Sequence, residues 1–292
     1  MSDPDTVPNI PAQMRKMKVH LAVPVLDRPD LHFANTLFQA TTSSRMSETM
    51  VNWNANDSMI SRARNILLSD FLFRSDAEYL MMLDSDLELV NCHADNNIID
   101  FLLEDLQKPS VDFVGGLYSV KAPNANKSSS VDIDFGPVPP YGSTGKGCPE
   151  FLHEMRWLST GCMMIRRSVV VHMLKKYPEL VYDGDGMLSG RQMFGAFIPF
   201  LLHIEKGELK GSGERDLKKY LSEDWSFCER WRKIGGKIWS DSRIVLRHYG
   251  SYPYDLYVRK PAEQKDQKPA GTSDQAPKEQ PAPLQQPDTP CA

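Results

Sequence analysis

Tyr79-Leu80-Met81-Met82-Leu83-Asp84-Ser85-Asp86 is the stretch on which the reading of this chain turns. Five apolar residues in a row, with no polar residue at alternate positions, describe a strand covered on both faces. Two carboxylates follow at once. A strand covered twice belongs to a sheet with helices on each side, so the segments around it should alternate between strand and helix. Upstream, Asn56-Asp57-Ser58 offers N-caps to a helix with Ile60, Ala63, Leu67 and Phe71 on one face. Before that, residues 19–23 alternate and stop at Pro24, which predicts a strand.

Downstream the alternation continues. Ile98, Ile99, Leu102, Leu103 and Leu106 predict a helix, and residues 111–117 a buried strand broken by Gly115-Gly116. Residues 161–165 form a strand, followed by a helix through Val170, Met173 and Leu174. A helix from about Glu223 turns Phe227, Trp231 and Ile234 inward and stops at Gly235-Gly236. Residues 237–239 and 243–248 read as a last strand pair. The expected fold class is α/β, a mainly parallel central sheet flanked by helices in a single domain. Ligands of such sheets bind outside the carboxyl ends of the strands.

Composition agrees with a globular chain and narrows the setting. With 292 residues, 41% hydrophobic and 25% charged, the sequence is neither wholly disordered nor collagenous. A net charge of −4 disfavours a protein that lives on nucleic-acid phosphate. Cys92, Cys148, Cys162, Cys228 and Cys291 lie far apart with no CxxC pair, which points to free thiols in a reducing compartment. No apolar run is long enough for a membrane span; residues 194–202 come nearest and carry Gly195 and Pro199. The first residues lack a basic-then-apolar signal pattern, so a cytoplasmic protein is expected. Residues 1–17 read as a flexible arm and 18–260 as the folded domain. Within it, 122–150 is a loop rich in Ser, Gly, Pro and Asn, of a length that suits a lid or substrate loop. Residues 261–292 form a Pro- and Gln-rich tail that cannot bury enough apolar area to order itself.

Function should therefore be sought at the strand ends. Asp84 and Asp86 can converge on one hard cation, Mn²⁺ or Mg²⁺, although Asp-Ser-Asp also makes an ordinary turn. His248 continues the Ile244, Leu246 row to a strand end, as a core histidine does unless Asp86 is near in space. Ser222-Glu223-Asp224 opens a helix, where Ser is an N-cap and acids suit the dipole, or where a carboxylate serves as general base. In Ile60-Ser61-Arg62-Ala63-Arg64-Asn65 the arginines are surface charges or contacts to a nucleotide. Thr160-Gly161 permits backbone to approach a ligand closely. Lys218, Lys219, Arg230, Arg232, Lys233 and Lys237 read as a solvated helical face.

As an ordered set these pieces resemble the nucleotide-sugar-dependent glycosyltransferases of the GT-A fold, in the family-2-like branch of bacteria, bacteriophages and large DNA viruses. The matching stretches are Val23-Pro24-Val25, Arg62-Ala63-Arg64-Asn65, the D-x-D acids, Val114 through Lys121, and Trp157 through Cys162. The most specific is the block YLSEDWSFCERWRKIGGKIWSDSRIVLRHYG, residues 220–250. The resemblance spans residues 18–254. It implies a Rossmann-like fold and a hexosyltransferase-like enzyme. Asp84 and Asp86 would hold Mn²⁺ or Mg²⁺ against the donor diphosphate, with Asp84 alternatively facing the ribose, and His248 would complete the metal shell. Asp224 would be the catalytic base of an inverting reaction, supported by Glu223. Pro24, Asp27, Arg62 and Asn65 would line the nucleotide pocket, and Lys121 would lie near donor phosphate or acceptor.

Two other classes compete. A nucleotidyltransferase acting on a sugar phosphate also joins an α/β sheet to metal-bound acids. It commonly carries a Gly-rich basic loop after the first strand, where this chain has Pro24-Val25-Leu26-Asp27-Arg28-Pro29. A non-catalytic nucleotide-sugar or glycan-binding module is the second. For the enzyme, the donor is a UDP- or GDP-sugar, and the acceptor hydroxyl sits on a glycan, a lipid-linked molecule, a protein or a modified DNA base. A viral member would act in the host cytoplasm.

Overall fold

The computed structural model of the chain describes residues 16–89, 97–122, 128, 130–132, 151–206, 216–250 and 253–254. The expected N-terminal arm, most of the 122–150 loop and the tail lie outside these residues. In chain order the elements are β1 (Met17–Val25), α1 (Leu31–Ser43), β2 (Ser47–Ala55), α2 (Ile60–Arg74), β3 (Tyr79–Leu83), β4 (Leu87–Leu89) and α3 (Ile98–Leu106). Then come β5 (Phe113–Tyr118), β6 (Val131–Asp132), β7 (Leu152–Trp157), β8 (Cys162–Arg166) and α4 (Arg167–Lys176). The series ends with β9 (Val181–Asp183), β10 (Gln192–Phe194), β11 (Phe200–Ile204), β12 (Leu217–Leu221), α5 (Glu223–Lys233), β13 (Ile238–Tyr249) and β14 (Pro253–Tyr254).

The central sheet runs β2-β1-β3-β8-β5-β13-β7-β6, with β4 and β14 also paired to β13. Neighbours β2, β1 and β3 are parallel, as are β5 and β13; β8 runs against β3 and β5 between these two groups. Every residue of β3 is buried, and its side chains divide between two cores. Leu80 and Met82 join Leu67, Phe71, Phe113, Met173, Phe227 and Trp231 on the face covered by α2, α4 and α5. Tyr79, Met81 and Leu83 join Phe33, Ala40, Ile99, Leu102 and Leu103 on the face covered by α1 and α3. The chain is thus an α/β protein with a mostly parallel central sheet flanked by helices. Among the described residues no helix is long and apolar enough to cross a membrane.

Three local expectations are corrected. Gly115-Gly116 do not break β5, which runs through them. A Cβ on Gly115 would lie within 3 Å of the Cys162 carbonyl and Leu158, and one on Gly116 within 3 Å of Ile244, so these glycines let β8 and β13 close on β5. The last strand pair is one strand, β13, with a register shift on β5 between Ser240 and Val245. The cap of α2 is Met59, without a side-chain bond, because Asp57 turns its carboxylate to the Met59 N–H and to Arg62.

Candidate active site

The D-x-D turn is built by the sheet around it. The Asp84 N–H donates to the Gly161 carbonyl at 2.8 Å, anchoring the end of β3 to the start of β8. The chain then folds back as β4, which pairs antiparallel with β13 and sets Leu87 opposite His248. The Tyr249 N–H donates to the Asp86 carbonyl at 2.8 Å. This pairing brings Asp86 and His248 together, with Nε2 3.4 Å from Oδ1. His248 Nδ1 lies 2.9 Å from the Ser119 carbonyl and its ring packs edge-on against Tyr118. A carbonyl only accepts, so Nδ1 carries a proton. Lys121 Nζ reaches Asp86 Oδ2. Burial raises the Asp86 carboxyl, but His248 and Lys121 outweigh it and hold the group below the usual carboxylate range.

Beside this turn opens a cleft of about 360 Å³ whose walls include Pro24, Val25, Asp57, Arg64, Asp84, Asp86 and Glu223. It lies where β1 and β3 end, the expected place for a ligand in such a sheet. Arg64 is the buried hinge of the acidic groups. Its Nη2 donates to Asp84 Oδ2 at 3.0 Å and its Nε lies 3.5 Å from Glu223 Oε1. Burial lowers the pKa of the guanidinium, but Asp84 and Glu223 outweigh it and hold the group above its ordinary value. Gly161 is required at this point. A Cβ there would lie within 3 Å of both the Tyr118 hydroxyl and Asp84 Oδ2, and the Gly161 N–H donates to that hydroxyl at 2.9 Å.

Asp224 stands one residue beyond Glu223 and is half-buried. Its Oδ1 accepts from the Ser222 hydroxyl and, at 2.8 Å, from the Trp225 N–H. Oδ2 has no protein donor among the described residues. Burial first, and the Glu223 carboxylate second, push the Asp224 carboxyl up to about 6 against the pull of Ser222, Trp225 and Arg64. Ser222 occupies the N-cap position but makes no side-chain cap bond, because its hydroxyl is spent on Asp224.

The sequence-named residues divide in two. Pro24, Asp84, Asp86 and Glu223 line the cleft, and Lys121 and His248 meet Asp86. Three nucleotide-pocket assignments are corrected. Asn65 is 3% exposed and turned into the core, where its Oδ1 accepts the Phe197 N–H at 2.8 Å. Arg62 points outward and grips Asp57 through two hydrogen bonds of 2.8 and 2.9 Å. The turn of α2 puts Arg64 into the site instead, two residues further on. Asp27 is exposed, past Leu26, and does not line the cleft. Asp57 stands at the cleft wall, where the sequence offers it only as a cap, since a lone acid before a helix has no other signature.

The basic face is also corrected. Arg230 is buried and donates to the carbonyls of Ala196 and Ile198 at 2.9 and 2.7 Å. Lys219 is half-buried against Trp157 and Trp225. Only residues such as Lys218 are solvated as expected.

The donor set suits a divalent cation in part. Among the described residues the buried Asp84 Oδ1 and Asp86 Oδ1 accept no hydrogen bond, although Arg64 Nη2 lies 3.0 Å from the first, and His248 presents Nε2 beside the second. Among the described residues no three His, Cys, Asp or Glu side chains are placed to hold a cation together, because Asp84 is drawn toward Arg64. The expected three-residue shell is therefore not assembled. One carboxylate and one imidazole still fit an ion such as Mg²⁺, which takes few protein ligands and completes its shell with substrate phosphate and water.

No family model matches the sequence, and no curated protein matches it. Among solved structures, the chain is similar to A197 from STIV, with 15% identity over 85% of this chain and 100% of that one and a TM-score of 0.46. A glycosyltransferase involved in the glycosylation of the major capsid of PBCV-1 matches at 12% identity over 56% of this chain and 66% of its own, with a TM-score of 0.30. A UDP-glucose pyrophosphorylase complexed with UDP-glucose matches at 9% identity over 78% and 90%, with a TM-score of 0.37. These likenesses are too distant to carry an activity across.

Proposed function

We propose that the chain is a nucleotide-sugar-dependent glycosyltransferase that moves a sugar from a nucleoside diphosphate to an acceptor hydroxyl. The observation that carries this reading is the convergence of acids from two elements on one cleft. Asp84 and Asp86 arrive from the end of β3 and Glu223 from the start of α5, with Arg64 bonded to Asp84 and ion-paired to Glu223; Asp224 follows Glu223 in the chain and does not itself line the cleft.

Each residue has a task in that reaction. Asp86 and His248 would hold Mn²⁺ or Mg²⁺, which when bound offsets charge on the departing diphosphate. Pro24, Val25 and Asp57 form the wall that the nucleoside meets, and Lys121 adds a positive charge beside Asp86. Arg64 fixes Asp84 and Glu223 so that neither swings into the sugar's place. Asp224 accepts the acceptor's proton on Oδ2, while Ser222 and the Trp225 N–H hold Oδ1 still. Attack from the face opposite the leaving diphosphate inverts the anomeric centre.

Product analysis tests the reaction class. Incubation of the protein with UDP- and GDP-sugars, Mn²⁺ and a mixed pool of hydroxyl acceptors is expected to release free nucleoside diphosphate. Formation of pyrophosphate from a nucleoside triphosphate and a sugar phosphate would show a nucleotidyltransferase instead.

A further inference from the structure

The corrected basic face leaves one cation to be explained. Lys219 lies on the inner side of the β11–β12 hairpin, opposite Leu202. Its ammonium is 4.8 Å from the centre of the Trp225 ring and 5.1 Å from that of Trp157, and the two indoles stack at 4.6 Å. Among the described residues no carboxylate lies within ion-pair distance of it. Glu229, the carboxylate that Trp157 meets, is already engaged. It accepts the Trp157 indole N–H at 2.8 Å and faces Arg156 at 3.6 Å and Arg232 at 3.7 Å.

Lys219 and Arg156 lie over the same Trp157 ring, 5.1 and 5.2 Å from its centre, and Glu229 links Arg156 to Arg232. Burial lowers the pKa of Lys219 and of Arg232, and Arg156 lowers both further by repulsion. An ammonium half removed from water beside other cations is stabilised by an anion, and indole faces supply only part of that attraction. The place of the cluster is telling. Trp225 adjoins Asp224, and Trp157 leads into Leu158-Ser159-Thr160-Gly161, where the Thr160 carbonyl lies 3.5 Å from Arg64 and Gly161 meets Tyr118. No member of the cluster lines the donor cleft.

We propose that Lys219, with Arg156 at the same Trp157 ring, forms an oxyanion subsite for the acceptor, and that the acceptor carries a phosphate group near its reacting hydroxyl. This rests on the glycosyltransferase reading above. Two cations at one ring match a doubly charged phosphate better than a singly charged carboxylate. The ring stack gives the subsite a rigid floor. Its neighbour in the chain, Asp224, is then placed to meet a hydroxyl of the molecule whose phosphate is held there.

The subsite can be tested without donor or metal, so its failure is separable from failure of the glycosyl-transfer reading. Titration of the full chain with inorganic phosphate at constant ionic strength, followed by tryptophan fluorescence, is expected to saturate. Acetate is expected to bind at least tenfold more weakly. Lys219→Met should weaken phosphate at least tenfold, whereas Lys218→Met, on the exposed side of the same strand, should bind like the parent. In the transfer assay, phosphate should compete with the acceptor and not with the donor. An absent or unsaturable response, equal binding of acetate, or unchanged binding by Lys219→Met overturns the proposal. If phosphate binds as described but no donor ever yields nucleoside diphosphate, the transferase reading falls and the anion subsite stands.

Discussion

At the scale of single residues, the proposed chemistry depends on one oxygen of Asp224. A carboxyl whose pKa is pushed up to about 6 is protonated, and useless as a base, below that pH. Transfer rates should therefore rise about tenfold per pH unit up to roughly pH 6 and level above it. The same shift has a stability consequence of fixed sign. The group binds its proton more tightly folded than unfolded, so stability present below about pH 4 is lost as pH rises through 6. Asp224→Asn should abolish that loss, which thermal denaturation at pH 4 and pH 7 would reveal. Gly161 makes the second residue-scale case. Gly161→Ala forces a methyl group against Tyr118 and Asp84 and should cost about 1–3 kcal/mol in a denaturant melt, with activity falling as Asp84 is displaced.

At the scale of elements, α3 is stapled to β13 by charge. Asp105 and Asp241 are fully buried and meet at Arg243, whose Nη2 lies 3.2 Å from the first and 2.6 Å from the second. Burial, then the neighbouring Asp241, pushes the Asp105 carboxyl up to about 7. Stability from this raised group is present at acid pH and lost as pH rises through 7. Relative to the parent, Asp105→Asn should be most destabilised near pH 4 and recover by on the order of 2 kcal/mol by pH 8, as read from urea melts. A flat difference would show that the carboxyl stays ionised throughout. The same strand shows what the sequence could and could not disclose. Tyr79–Leu83 and the Gly235-Gly236 stop after α5 were legible because burial on both faces and a helix end leave local marks. The middle of β13 was not. Ser240, Asp241 and Ser242 look like a turn, yet they are buried and Asp241 and Ser242 find partners in Arg243 and the Phe151 carbonyl. Helix α1 went unread because exposed Leu31 and Phe38 blur its apolar stripe. The acids of the site were readable as motifs, but the choice of Arg64 over Arg62 depends on how α2 is rotated, and the meeting of Asp86 with His248 on the pairing of β4 with β13. Both are tertiary facts.

At the scale of the whole molecule, the sheet gathers chemistry from distant parts of the chain. β3 supplies the D-x-D turn, β13 the histidine, α2 the buried arginine and α5 the acid pair, and the cleft opens where β1 and β3 end. Two cores, one on each face, hold these strand ends in register, so the site is fixed by the fold more than by any loop. On this account the two acidic sets act together on one transferred sugar, and neither suffices alone. The most direct measurement is the rate of sugar transfer by the parent, Asp86→Ala and Asp224→Asn, with a UDP- or GDP-sugar and Mn²⁺ and with folding of each variant checked by its melting curve. Both variants are expected to fold and to lose transfer by about 10²-fold or more. Near-normal transfer by Asp224→Asn, alongside abolition by Asp86→Ala, would contradict the assignment of the base and with it the proposed mechanism.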